Sequence, residues 1–412
     1  MADLFDKCSK QKWAGYSLDE AKAAGVYPYF SALSSKTGTE VELNGHNVIM
    51  LGSNNYLGLT SDDRVIKAVV ETTEKFGSGC SGSRFLNGNM TFHLELEEKL
   101  KKFLNKPAVL TFSTGFGANL SIISALCGRN DVIMCDKDNH ASIYDGCKLS
   151  FADMVRYEHN DMADLEEKLK NVKATKPQAG ILIVTDGVFS MSGEIADIPT
   201  IVKLAKKYGA RTMVDDAHAL GVLGKNMRGT AEHFNLEKDV DIYMGTFSKS
   251  LASLGGYMAG EKAVVEFVQH AARPFIFTAS MTPASAAAAM AALEIMQQEP
   301  NRRDNLIEIA RYATESYKKA GLDILENKFP TPIIPIRTGD ILRTFAICVE
   351  LVKQGVYVNP VIAPAVPANQ CIIRTSYMAT HTKEQIDRAT AIIKKVVDSM
   401  PKDLTGDAGS GQ

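Results

Sequence analysis

The chain has 412 residues, 45% hydrophobic and 23% charged, with a formal net charge of −2. That length exceeds one simple core and suits two to three domains of a globular protein. Lysines and arginines are scattered, giving no electrostatic footprint for nucleic acid, and no apolar run reaches the roughly 20 residues of a membrane span.

The seven cysteines include no CxxC pair, which argues against a metal (zinc) site and a disulfide framework and fits a reducing cytoplasm. Met1 is followed by Ala2-Asp3-Leu4-Phe5-Asp6-Lys7, which is not a signal-peptide pattern.

Residues 1–60 read as an N-terminal segment, with a helix over 17–24 and a hairpin over 40–51 around Asn44-Gly45. Residues 61–290 repeat short apolar strand, loop and amphipathic helix. Strands are expected over 107–112, 131–135, 180–185 and 212–214, and helices over 115–126, 141–149 and 198–208. Such alternation predicts a large α/β domain with a mostly parallel sheet covered by helices on both faces. An alanine-rich helix over 283–299 reads as a bridge out of it, followed by a helix over 301–320. Residues 291–400 then read as a smaller α+β domain, with strands over 333–336, 356–358 and 371–375 and helices over 344–353 and 383–399. Residues 401–412 read as a disordered tail.

Open α/β sheets bind ligands at the carboxyl ends of their strands, where Ser113-Thr114-Gly115, Asp186, Asp215 and Thr246 are expected to gather. Lys249 lies in Gly245-Thr246-Phe247-Ser248-Lys249-Ser250. Alone it would read as a surface lysine after a strand. Asp215 and His218 upstream point instead to a pyridoxal phosphate (PLP) site. There Lys249 forms a Schiff base, Thr246 and Ser248 donate to phosphate, and the carboxylate keeps the ring nitrogen protonated. The Gly115–Gly117 turn can meet an anion through backbone N–H groups and the helix dipole.

His140 can either stack on the ring or belong to a helix cap. Asp215, following Met213-Val214, would be a buried carboxylate in need of a cationic partner. Asp216 is its rival, since strand alternation points the two to opposite faces. His218 can reach the ring's phenolic oxygen. Arg374, in an apolar strand, suits either a substrate carboxylate or an internal salt bridge. Asn55 is either a turn residue or a substrate contact, and local physics favours the turn.

Several ordered motifs carry a family resemblance: Asn54-Asn55-Tyr56-Leu57-Gly58, Gly82-Ser83-Arg84 with Gly88 and His93, Ser113-Thr114-Gly115-Phe116 and Asn139-His140-Ala141-Ser142. Others are Thr185-Asp186-Gly187-Val188-Phe189-Ser190-Met191, Asp215-Asp216-Ala217-His218 and Thr246-Phe247-Ser248-Lys249-Ser250-Leu251-Ala252. Together they resemble the α-oxoamine synthases, fold-type I PLP enzymes that join an amino acid to an acyl-CoA with loss of CO₂.

The resemblance implies an aspartate-aminotransferase-like fold, PLP as cofactor, and a homodimer with shared active sites. It assigns Lys249 to the Schiff base, His140 to the ring face, Asp215 to the pyridinium and His218 to the phenolic oxygen. Gly115, Phe116, Thr246 and Ser248 would hold phosphate, Ser190 joins the cofactor contacts, and Thr278 and Ser280 would come from the second subunit. Asn55 and Arg374 would surround the amino acid's carboxylate. Phe116 stands where many relatives place Tyr, which removes a hydroxyl but keeps the backbone N–H.

The stretches Gly82–Gly88, Ser253–Tyr257, Ser280–Ser285, Asn359–Val361, Pro364–Pro367 and Ile373–Thr382 are most similar to one bacterial branch. That branch condenses L-serine with palmitoyl-CoA to 3-ketodihydrosphingosine. Glycine or alanine as amino acid, giving 5-aminolevulinate, 2-amino-3-ketobutyrate or 8-amino-7-oxononanoate, is the alternative within the family. A non-catalytic subunit would lack the lysine, and a PLP-dependent transcription factor would need a DNA-binding module. The cysteine usage and the lack of a signal-peptide pattern or an apolar span predict a cytoplasmic protein, with peripheral contact at the inner membrane surface as the alternative.

Overall fold

The computed structural model describes residues 3–9, 12–13, 16–363, 365–367 and 369–401; the expected tail from residue 402, and Pro364, lie outside the described residues. The chain divides into two compact units. The larger comprises Asn54–Ile307 with Asn327–Thr331; the smaller comprises residues up to Ser53, Glu308–Glu326 and the chain from Pro332 onward.

A seven-stranded sheet organises the larger unit, in the order Ala108–Phe112, Gly256–Gly260, Ile242–Thr246, Arg211–Asp215, Ile181–Asp186, Val132–Asp136, Asp153–Tyr157. All neighbours pair in parallel except Gly256–Gly260, which is antiparallel to both strands beside it. The central strands are buried along their whole length. Such strands need apolar side chains on both faces, which explains runs such as Ile181-Leu182-Ile183-Val184. One helix-covered core gathers Leu110, Ile122, Ile133, Ile143, Val184 and Met258. The fold is the expected mixed, mostly parallel sheet.

Three of these strands and several helices escape the periodicity. Gly256-Tyr257-Met258-Ala259-Gly260 has two glycines and no β-branched residue, so its strand character comes from its place between two partners. Helices Asp63–Phe76, Thr91–Leu104, Met162–Thr175 and Lys262–Ala271 complete the unit. The alanine-rich helix Pro283–Gln298 is a correction: it lies within the larger unit, packed on Asp63–Phe76 and Thr91–Leu104, and the division falls in helix Asn301–Lys319 instead. Small side chains let helices approach closely, so the alanines serve packing.

In the smaller unit, the hairpin Glu40–Leu43 and His46–Met50 forms around Asn44-Gly45 as expected, and Val356–Tyr357 adds in parallel to its second strand. The N-terminal hairpin therefore belongs with the C-terminal residues. A second sheet holds Ile333–Gly339, Cys371–Ser376 and the edge strand Asn359–Val361, whose Pro360 an edge tolerates. Among the described residues no helix is long and apolar enough to cross a membrane.

Candidate active site

The parallel strands Ile181–Asp186, Arg211–Asp215 and Ile242–Thr246 end side by side, so Asp186, Asp215 and Thr246 meet at one rim of the sheet. Beside them helix Gly115–Leu126 begins, capped by Thr114 Oγ1, which accepts from the Gly117 N–H at 2.9 Å. An open cleft of about 710 Å³ lies there. Gly115, Phe116, His140, Asp215, His218, Thr246, Ser248 and Lys249 line it, with Asn119, Ser142 and Asp186.

The rim has a polar, anion-accepting end. A Cβ on Gly115 would stand 2.8 Å from Thr246 Oγ1, so only glycine lets the helix start this close to the strand end. Thr246 Oγ1 donates to the Gly255 carbonyl at 3.0 Å and lies 2.9 Å from Ser248 Oγ. Helix N–H groups and two hydroxyls together form a set that suits phosphate.

A chain of hydrogen bonds runs along the cleft floor. Asn119 Nδ2 donates to Asp215 Oδ2 at 2.7 Å and to Ser142 Oγ at 2.9 Å; Asp215 Oδ1 accepts from the Ala217 N–H at 2.9 Å. With Asn119 donating to it, Ser142 Oγ is free to donate to His140 Nδ1, 2.7 Å away. His140 is also the N-cap of helix Ala141–Ser150, so one residue both caps a helix and lines the cleft. Burial, reinforced by the Lys249 charge and opposed by Asp215, lowers its pKa and keeps the imidazole neutral.

The two adjacent aspartates separate as strand geometry requires. Asp216 turns away from the cleft and is held by Thr230, whose backbone N–H and hydroxyl donate to it at 3.1 and 2.6 Å. Burial pushes it up to about 7. A Cβ on Gly187 would come within 2.2 Å of Asp216 Oδ1, so the backbone after Asp186 must be glycine for Asp216 to fit.

Residues outside the expected set support the cleft. Tyr56, fully buried, places its hydroxyl 2.6 Å from His218 Nδ1. Asn139 Oδ1 accepts from the Asp186 N–H at 2.9 Å and its Nδ2 donates to the Val184 carbonyl at 2.9 Å, tying the His140 loop to the central strand. Asn119 is recognisable as a polar residue in an apolar helix; Tyr56 and Ser142 stand within the family motifs, but nothing local gave either of them a role. The Phe116 ring stands edge-on to His140, 6.3 Å between centroids.

Other expected residues lie elsewhere. Asn55 spends its side chain on its own turn: Oδ1 accepts from the Leu59 N–H at 3.0 Å and Nδ2 donates to Thr60 Oγ1 at 2.7 Å. Ser190 lies in the turn beyond Asp186, outside the cleft lining. Thr278 and Ser280 line a separate cavity of about 490 Å³ with Arg84 and His93. Arg374 belongs to the smaller unit, buried in strand Cys371–Ser376 with Nη1 3.4 Å from Ser376 Oγ. Two motif residues are structural. Arg84 pairs with Glu97 at 2.8 Å, and His93 Nδ1 accepts from the Met90 N–H at 3.1 Å.

A helix terminus for an anion, a lysine, a neutral imidazole and an anchored carboxylate in one cleft define a PLP site on this sheet. Known proteins agree. The aminotransferase class I and II family profile matches residues 46–393. A serine palmitoyltransferase of Bacteroides ovatus is 48% identical over 392 residues, 95% of this chain and 98% of its own. An 8-amino-7-oxononanoate synthase of Thermoanaerobacter pseudethanolicus is 45% identical over 379 residues, 92% and 95% of the two chains. A solved serine palmitoyltransferase variant from S. paucimobilis, with PLP–myriocin bound, superposes with a TM-score of 0.90 at 35% identity, covering 96% of this chain and 98% of that one. The chain belongs to the class I and II aminotransferase family and, within it, to the α-oxoamine synthases, PLP-dependent acyltransferases.

Proposed function

We propose that this enzyme condenses L-serine with palmitoyl-CoA to give 3-ketodihydrosphingosine, CoA and CO₂. The observation that carries the reading is the 48% identity, across nearly the full length of both chains, to a relative named serine palmitoyltransferase. The 45% identical 8-amino-7-oxononanoate synthase supports the second reading, in which alanine replaces serine.

Bound PLP supplies an electron sink for charge developing at the amino acid's Cα. The chain's own residues supply the rest. Lys249 Nζ takes and returns the Cα proton. Asp215, fixed by Asn119 and Ala217, would meet the ring nitrogen. His140, neutral, would cover the ring face. His218, oriented by Tyr56, would donate to the phenolic oxygen. Gly115, Phe116, Thr246 and Ser248 would hold the phosphate, and Thr278 and Ser280 would serve the site of a second copy in a homodimer.

The test is a visible-spectrum titration with L-serine, glycine, L-alanine and L-threonine, followed by palmitoyl-CoA. A cofactor band that shifts with L-serine, then releases free CoA, is the expected result. A response confined to alanine would overturn the serine assignment and leave the family intact.

A further inference from the structure

One carboxyl in the cleft has no part in these roles. Asp186 ends its strand in register with Asp215 on the neighbouring strand, and both side chains line the cleft. Adjacent strands are only about 4.8 Å apart, so two carboxyls share one desolvated place. Asp215 has two donors, Asn119 Nδ2 and the Ala217 N–H. Asp186 has the backbone N–H of His140 alone, and its Oδ1 is buried with no hydrogen-bond partner. The residue is 3% exposed.

Neighbouring carboxyls in a dry site do not both ionise, and the proton settles on the one with fewer donors. The charged groups around Asp186 are Asp215, Asp136 and Lys249. Burial first, then the Asp215 charge, push its pKa well above the ordinary range, with Lys249 in opposition. Asp186 thus carries an O–H and needs an acceptor. Within the protein Oδ1 finds none. In the proposed site Asp215 would take the ring nitrogen of PLP, itself a donor, and the helix terminus would take the phosphate. The phenolic oxygen is the remaining acceptor, with lone pairs enough for two donors.

We propose that Asp186 is a further cofactor-binding residue, a neutral carboxylic acid that donates a hydrogen bond to the phenolic oxygen of PLP. The proposal rests on the PLP assignment but not on the choice of serine or palmitoyl-CoA. The test uses apo-protein and equilibrium cofactor binding, with PLP and an analogue lacking the 3-hydroxyl. Asp186→Asn keeps a neutral donor and should bind PLP within about threefold of wild type, whereas Asp186→Ala should bind about ten- to a hundredfold more weakly. For the analogue that penalty should vanish. Infrared difference spectra of wild type against Asp186→Asn at pH 7 should show a protonated-carboxyl band, a readout that survives if the alanine variant misfolds.

An Asp186→Asn loss as large as that of Asp186→Ala would mean that an anion is required, and would overturn the proposal. So would an equal penalty for PLP and the analogue, or carboxylate bands alone in the infrared. Failure of wild-type apo-protein to bind PLP at all would instead sink the cofactor assignment beneath it.

Discussion

His140 and His159 carry opposite charge states. His140 faces the cleft, its Nδ1 meeting a serine hydroxyl, and burial holds it neutral. His159 is clamped between carboxylates, with Nδ1 2.9 Å from Asp136 Oδ1 and Nε2 3.2 Å from Glu194 Oε2. Those bonds, acting against burial, raise its pKa to about 10. Asn160 joins the same cluster, donating through Nδ2 to Glu194 Oε1 at 2.7 Å and through its N–H to Asp136 Oδ2 at 2.8 Å. Partner type, not depth, decides which histidine is charged: one site is built to meet a ligand, the other to lock the loops that frame it.

The largest expected effect lies on the cleft side. Lys249→Ala should fold and bind cofactor weakly while CoA release falls by about 10³-fold or more, the scale of a lost proton-transfer group. Turnover near the wild-type rate would remove the lysine from its proposed role. Next comes the aspartate pair. Asp215→Asn should lower kcat by about a hundredfold, since a carboxylate with a buried cationic partner is worth several kcal/mol. Asp216→Asn, facing Thr230, should leave kcat within about threefold. The reverse order would exchange the assignments of the two residues.

On the clamp side, His159→Gln should destabilise the protein by about 2 kcal/mol, read from the denaturation midpoint at constant slope, because two carboxylates lose their cation. The pH dependence sharpens the contrast. A histidine whose folded pKa is raised contributes stability that is complete below its unfolded value and is lost as pH rises towards the folded one. Wild-type stability should therefore decline from about pH 6.5 to pH 10, and this decline should be shallower in His159→Gln. His140, depressed, acts oppositely: its contribution is complete above about pH 6.5 and is lost as pH falls. A variant curve parallel to wild type across the alkaline window would exclude His159 as its source. The smallest effect is expected from Tyr56→Phe, which removes one hydrogen bond to His218 and should cost about three- to tenfold in kcat/KM with little change in stability. No change would show that His218 is oriented without it.

Much of the fold was legible because a buried parallel sheet imprints itself on the sequence. Ile181–Asp186 and Arg211–Asp215 appear within a residue or two of their expected bounds, since strands covered on both faces must be apolar throughout. Gly256–Gly260 was not legible, because nothing in its side chains distinguishes a strand from a loop. The cleft shows the same split. Lys249, Asp215, His218, Thr246 and Ser248 could be placed because their residue types and strand-end positions together suit one chemistry. The roles of their supports could not, since Asn119 reaches Ser142 and Asp215, and Tyr56 reaches His218, across long stretches of chain.

The sequence by itself determined the α/β class, the strand-end location of the site and the chemical type of its principal groups. Those follow from local patterns of apolarity and from residue types that few sites combine. The tertiary structure put Asp215 rather than Asp216 on the cleft where residue types alone left both open, showed the partners that tie Asn55 to its turn, and made one histidine neutral and another charged. Each of those outcomes depends on which donors, acceptors and charges surround a side chain after burial, and non-local packing alone sets those surroundings.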